Sequence, residues 1–142
     1  MAPILEEITV YGHENLLCTH KTTIEITKDT GLTRKGNCIL GVKASKACKD
    51  LENPLREAII QGKKLIITIK VDNLIETFYG FGDERLTLLN EKDIVFRKSD
   101  FVCDRTALVK CSKSSDDLNH NLINKLKTNG KKFYITFETN ER

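Results

Sequence analysis

The chain has no tryptophan, one methionine and two prolines in 142 residues, and its rings are confined to six phenylalanines and three tyrosines. With aromatics at only 6% and 23 basic against 20 acidic side chains, a net charge of +3, it is well short of a strongly basic stacking surface for nucleic acid. It also lacks long apolar runs. Stretches such as Leu65 to Ile67 fall far short of the roughly 20 residues that cross a bilayer. Glu6 and Glu7 stand where a secretory leader would be basic and then apolar, so a cytoplasmic location with no membrane partner is expected. The five cysteines, Cys18, Cys38, Cys48, Cys103 and Cys111, are odd in number and form no CxxC pair, which disfavours a disulfide framework and a structural zinc site. Their expected state is reduced, as small buried hydrophobes. A P-loop, a dinucleotide-binding glycine loop, a nucleophile elbow and HExxH are all missing, so no metal or cofactor is implied. Few glutamines beside many Lys, Glu and Ile match the bias of heat-adapted proteins, in which an intracellular disulfide is less exceptional, and cysteine pairing therefore stays open.

What is present is enough apolar material, 39%, for one domain over 1–142 that hides roughly 70% of its unfolded surface. An internal repeat organises it. Val42-Lys43-Ala44-Ser45-Lys46 returns as Val109-Lys110-Cys111-Ser112-Lys113, and Gly62-Lys63-Lys64 as Gly130-Lys131-Lys132. Towards the N-terminal side of each copy, Glu6, Gly12, Glu14 and Leu16 return as Glu76, Gly82, Glu84 and Leu86. The chain reads as a tandem duplication of about 4–72 and 74–139, with length changes confined to loops.

Each copy reads strand, strand, strand, helix, strand. Ile4 to Tyr11 and Leu74 to Phe81 form the first strands. Thr23 to Thr27 and Asp93 to Arg97 alternate as half-buried strands do. Cys38 to Lys43 and Thr106 to Cys111 are more uniformly apolar, which predicts central strands. Ala47, Leu51, Leu55, Ala58 and Ile59 have helical spacing, as do Leu118, Leu122 and Leu126, with N-cap signals at Ser45, Ser112 or Ser114. Pro54 should kink or restart the first helix, and the kept apolar phase favours one kinked helix. Gly62 and Gly130 mark helix ends. The expected fold is α+β: internally duplicated units packed about a pseudo-twofold axis, forming one mixed sheet or a barrel-like domain with two helices.

Gly12-His13-Glu14, His20-Lys21-Thr22-Thr23, Leu32-Thr33, Cys38-Ile39-Leu40-Gly41-Val42, Lys46-Ala47-Cys48, Arg97-Lys98-Ser99-Asp100-Phe101 and Asp104-Arg105-Thr106 together resemble domain-of-unknown-function family 371. The resemblance covers nearly the whole chain. It implies an archaeal, intracellular setting and assigns no activity, substrate or catalytic residue.

Three groups of residues can carry chemistry. Lys43, Ser45 and Lys46, mirrored by Lys110, Ser112 and Lys113, place an ammonium where a strand ends and a helix is expected to start, which suits a phosphate or carboxylate. The alternative is a solvated lysine beside a serine cap. His13 with Glu14, and His20, can serve as general base or metal ligand; their places in the second copy are held by Asp83, Glu84 and Asn90, so the repeat does not require the imidazoles. Arg97 and Arg105 can grip an anion bidentately or belong to a solvated ion-pair network. The reading that needs fewest unobserved groups is a binding module for an anionic or phosphorylated ligand, RNA among the candidates. An enzyme acting on a small anionic metabolite through His13 and His20, and an interaction module without catalysis, are the competing classes.

Overall fold

The computed structural model describes residues 4–31 and 37–139. Leu32 and Thr33, quoted for the family resemblance, lie outside them. The chain runs β1 (Ile4–Tyr11), β2 (Thr23–Thr27), β3 (Ile39–Gly41), a 3-10 turn (Cys48–Asp50), α1 (Asn53–Ile60) and β4 (Lys64–Val71). It continues with β5 (Leu74–Phe81), β6 (Asp93–Arg97), β7 (Thr106–Leu108), a 3-10 turn (Ser115–Asp117), α2 (His120–Leu126) and β8 (Lys132–Thr139). The fold is α+β, with two α-helices among the described residues. None of them is long and apolar enough to cross a membrane.

The strands form two sheets of four, where the sequence pattern suggests one mixed sheet or a barrel. The first, ordered β1-β8-β4-β5, is antiparallel throughout. The second, ordered β3-β2-β6-β7, pairs β2 with β6 antiparallel and adds β3 and β7 in parallel. Single bridges, Tyr11 to Val42 and Phe81 to Val109, tie β1 to the end of β3 and β5 to the end of β7. Each seam between the sheets thus carries one isolated bridge and the hydrogen bonds of the serine that follows it, Ser45 to Thr9 or Ser112 to Tyr79, and not a continuous ladder. Between the sheets, Phe96 of β6 meets Phe78 of β5 and Phe137 of β8 at centroid distances of 5.5 and 5.7 Å. Leu55 and Ile59 of α1 and Leu122 and Leu126 of α2 belong to the same apolar cluster.

Three expectations change. The apolar strands β3 and β7 lie at the edges of their sheet, not at its centre. Their burial comes from the seams: a Cβ on Gly41 would stand 2.4 Å from Val10 and 2.7 Å from the Phe133 ring. In β2 the polar positions Thr23, Glu25 and Thr27 are as buried as Ile24 and Ile26, so the strand is covered on both faces. The expected kinked helix is in fact two pieces in each half. Leu51 and Leu118 are extended, with ψ of 137° and 151°, and separate a 3-10 turn from the helix after it. Glu52 and Asn119 hold the N-cap places of α1 and α2, with Pro54 inside the first turn of α1.

Candidate functional site

The break before each helix has a cause in the strands. Glu6 of β1 is buried, and its Oε1 accepts the Glu52 N–H at 2.9 Å while its Oε2 takes the Lys46 ammonium. Glu76 of β5 repeats this with the Asn119 N–H at 2.6 Å and Lys113 Nζ at 2.5 Å. A carboxylate inside the fold needs a cation and donors, and these lysines and amides provide them. Lys46 and Lys113 are therefore bound to internal carboxylates.

Ser45 and Ser112 are not helix caps either. Ser45 N–H donates to Thr9 O and its Oγ accepts the Thr9 N–H at 3.0 Å; Ser112 does the same with Tyr79. The neighbouring amides are also occupied: Lys43 to Asp29, Ala44 to Thr27, Lys110 to Ser99 and Cys111 to Arg97. No α-helix starts at these lysines: α1 begins at Asn53 and α2 at His120. Ser114, by contrast, does serve as the cap of its 3-10 turn, paired with Asp117.

Lys43 and Lys110 stand apart. Both adopt left-handed backbone, φ 53° and 51°, a conformation that L residues seldom hold without tertiary support. Each borders a cleft. The first, about 220 Å³, is lined by Tyr11, Gly12, His13, Thr30, Val42, Lys43, Asn129 and Gly130. The second, about 290 Å³, is lined by Gly62, Phe81, Gly82, Asp83, Val109 and Lys110. The clefts occupy matching places but differ in charge. Asp83 in the second is clamped by Arg85 through two contacts of 3.0 Å, which hold its carboxyl down to about 2. Among the described residues no carboxylate lines the first.

His13 and His20 do local structural work. His13 Nδ1 accepts the Asn15 N–H at 3.0 Å and His20 Nδ1 the Thr22 N–H at 3.2 Å. Asp83 and Asn90 make the same bond to the amide two residues on, at 2.9 Å each. A ring nitrogen thus replaces a side-chain oxygen in the same turn. With Nδ1 accepting, the neutral ring of His13 carries its proton on Nε2. Only His13 shares a cleft with a candidate lysine. Glu14 is exposed beside it, its amide bound to Asn129 Oδ1 at 2.8 Å, and His20 lies elsewhere.

Arg97 and Arg105 are engaged. Arg97 donates to Thr106 Oγ1 at 2.8 Å and to Cys103 Sγ at 3.4 Å, with its guanidinium over the Phe101 ring at 4.9 Å. Arg105 Nη1 lies 3.5 Å from both Glu25 Oε1 and Asp93 Oδ2. The sequence pattern hides this pair of carboxylates on adjacent strands, because Glu25 looks like the solvent side of an amphipathic strand. Burial, then the Asp93 charge, push the Glu25 carboxyl up, with Arg105 in opposition. Burial also raises the Cys18, Cys48 and Cys111 thiols to about 12. Cys103 is the exception: burial opposes ionisation, but hydrogen bonds from Thr106, the Arg105 amide and Arg97 outweigh it and bring the thiol down to about 7. All five cysteines are free.

The class defined by this geometry is a two-sheet α+β domain with paired lysine-bordered clefts. The chain belongs to the family described as Domain of unknown function (DUF371), whose model matches residues 8–140. It is 40% identical over 120 residues to the uncharacterized protein MJ0206 of the archaeon Methanocaldococcus jannaschii, covering 84% of this chain and 89% of that protein.

Proposed function

We propose that the protein is a cytoplasmic binding module for a small anionic ligand, phosphate-bearing or carboxylate, held in the cleft between His13 and Lys43. The observation that carries this reading is the Lys43 ammonium: it pairs with no described residue, borders a cleft without a carboxylate, and sits on left-handed backbone. His13 Nε2–H and the Thr30 hydroxyl are further donors on the same lining. The twin cleft carries a carboxylate of its own, Asp83, on its wall. Many other lysines are engaged by carboxylates, including Lys28 with Asp50, Lys92 with Asp29 and Lys98 with Asp117. The second reading, an enzyme acting on a small anionic metabolite, draws support from His13 alone, which places a proton donor beside the anion; His20 and Glu14 do not join it.

The repeat frames this asymmetry. We read the single domain as a duplicated unit about a pseudo-twofold axis, a reading supported by an element order that recurs and by strand orders that read alike from either edge of both sheets. One cleft then keeps the anion and the other has diverged. Calorimetric titration with inorganic phosphate tests the function. Saturable binding weakened about ten-fold or more by Lys43→Ala, and unchanged by Lys110→Ala, is expected. Equal affinity in wild type and Lys43→Ala overturns it.

A further inference from the structure

All three tyrosines of the chain, Tyr11, Tyr79 and Tyr134, lie on one surface. In the β1-β8-β4-β5 sheet the inward positions, such as Ile8, Ile67, Phe133 and Phe137, are buried, while the alternate positions point out and stay half-buried or exposed. Among the described residues nothing covers this outer face. Its rings follow a diagonal. Tyr11 ends β1; Tyr134, on β8, pairs with Thr9 and Lys70; Tyr79, on β5, pairs with Ile66; and Phe81 ends β5. Strand spacing and rise put Tyr134 and Tyr79 roughly 16 Å apart. Between them runs a row of hydroxyls, Thr136, Thr68 and Thr77.

Cations alternate with the rings. Lys132 Nζ is 5.7 Å from the Tyr134 ring, Lys64 Nζ 4.3 Å from the Tyr79 ring, and Lys70 stands directly across from Tyr134. The two carboxylates of the face lie off this diagonal: Glu7 on β1 ends the hydroxyl row beside Thr136, and Glu138 on β8 stands two strands from Tyr79 on the Ile66 rung. The low aromatic content of the chain argues against a stacking surface only if the rings are spread through the fold, and here the tyrosines are gathered on one side of one sheet.

We propose that the outer face of this sheet is a docking platform for single-stranded nucleic acid, with Tyr79 and Tyr134 stacking bases and Lys64, Lys70 and Lys132 meeting phosphates. Open rings on a flat sheet accept any base through its π-face, and ammonium groups between them match the backbone charge that connects stacked bases. A duplex has its bases already stacked and offers the rings nothing. The platform is separate from the His13–Lys43 cleft, which touches it only through Tyr11, so the two readings stand or fall independently.

Fluorescence anisotropy with a labelled mixed-sequence single-stranded RNA, its DNA equivalent and the corresponding duplex tests the proposal on the full chain. Single strands should bind in preference to duplex. Tyr79→Ala and Tyr134→Ala should each weaken binding by about 5- to 100-fold, and Tyr→Phe at either site should restore most of it. Lys70→Ala should lower the slope of log affinity against log salt by about 0.7, and Lys43→Ala should leave strand affinity unchanged. The proposal is overturned by no binding at low salt, by duplex preference, or by unchanged affinity in the tyrosine variants with circular dichroism showing them folded. Sedimentation showing a dimer that Tyr79→Ala dissociates, with no strand binding, would also overturn it and assign the face to a second copy.

Discussion

Glu6 and Glu76 sit at alternating positions of β1 and β5 that turn inward among Ile8, Val10 and Phe78, yet each is fully partnered by a lysine and a backbone amide. Truncating one partner of a buried pair leaves the other uncompensated, so Glu6→Ala should cost about 3 kcal/mol in denaturant unfolding. Lys46→Ala should cost at least as much, since it leaves the buried carboxylate with the Glu52 amide alone. A Lys46→Ala cost below about 1 kcal/mol, the range of an exposed pair, would show that the carboxylate does not depend on the ammonium. Glu25 behaves in the opposite sense, because burial and Asp93 raise its carboxyl above the ordinary 4.5. The folded state then holds the proton more tightly than the unfolded one, and stability declines as pH rises through the folded value. Glu25→Gln should match wild type in melting temperature below pH 4.5 and exceed it increasingly above. A difference that shrinks with rising pH would contradict the assignment.

At the scale of elements, the 3-10 turns are fixed by carboxylates at matching positions. Asp50 accepts the Ala47 N–H and pairs with Lys28; Asp117 accepts the Ser114 N–H and hydroxyl and pairs with Lys98. The Ser114 amide, then Lys98 and the Ser114 hydroxyl, hold Asp117 down to about 2, and Asp50 is lowered chiefly by Lys28 and the Ala47 amide. A depressed carboxylate stabilises the fold above its ordinary value and ceases to as pH falls. Melting temperature should therefore drop between pH 3.8 and 2, and Asp117→Asn should flatten that drop. Helix placement depends equally on glycine. A Cβ on Gly82 would fall 2.0 Å from Ile59 O, and on Gly12 2.2 Å from Leu126 O, so the ends of α1 and α2 rest directly on the loops that follow β5 and β1. Gly82→Ala should cost about 3 kcal/mol. Gly31, with nothing within 4 Å of its Cβ position, is the control and should be neutral to about 0.5 kcal/mol.

For the whole molecule, the two halves are interleaved. β4 pairs with β8 and β2 with β6, each across the midpoint of the chain. Cys48 Sγ donates to Arg105 O at 3.4 Å, and Ser115 Oγ to Thr23 O and Cys38 O at 2.8 and 3.1 Å, so each half's 3-10 turn closes on the other's strands. A fragment ending at Asp72 keeps its hydrophobic pattern but loses the central partner of both sheets. It should be unfolded by circular dichroism when alone and regain structure when mixed with the fragment from Asn73 onward. A stably folded monomeric first half would refute the interleaving as a source of stability.

The bounds of β1, β2, β5 and β6 were legible in the residues, because period-two alternation and turn residues are local properties. So was the recurrence of Lys43 as Lys110 and of His13 as Asp83. Whether β3 and β7 were central or at an edge was not legible, since a strand buried by a seam and one buried by two neighbours carry the same apolar run. Nor was the separation of Lys46 from Lys43. Close together in the chain, one turns in to a glutamate 40 positions away, and the other borders a cleft shared with His13. Local sequence determined which segments could be strands or helices. Only the tertiary structure decided which charges meet, because pairing a buried carboxylate depends on distances between elements that no stretch of chain encodes alone.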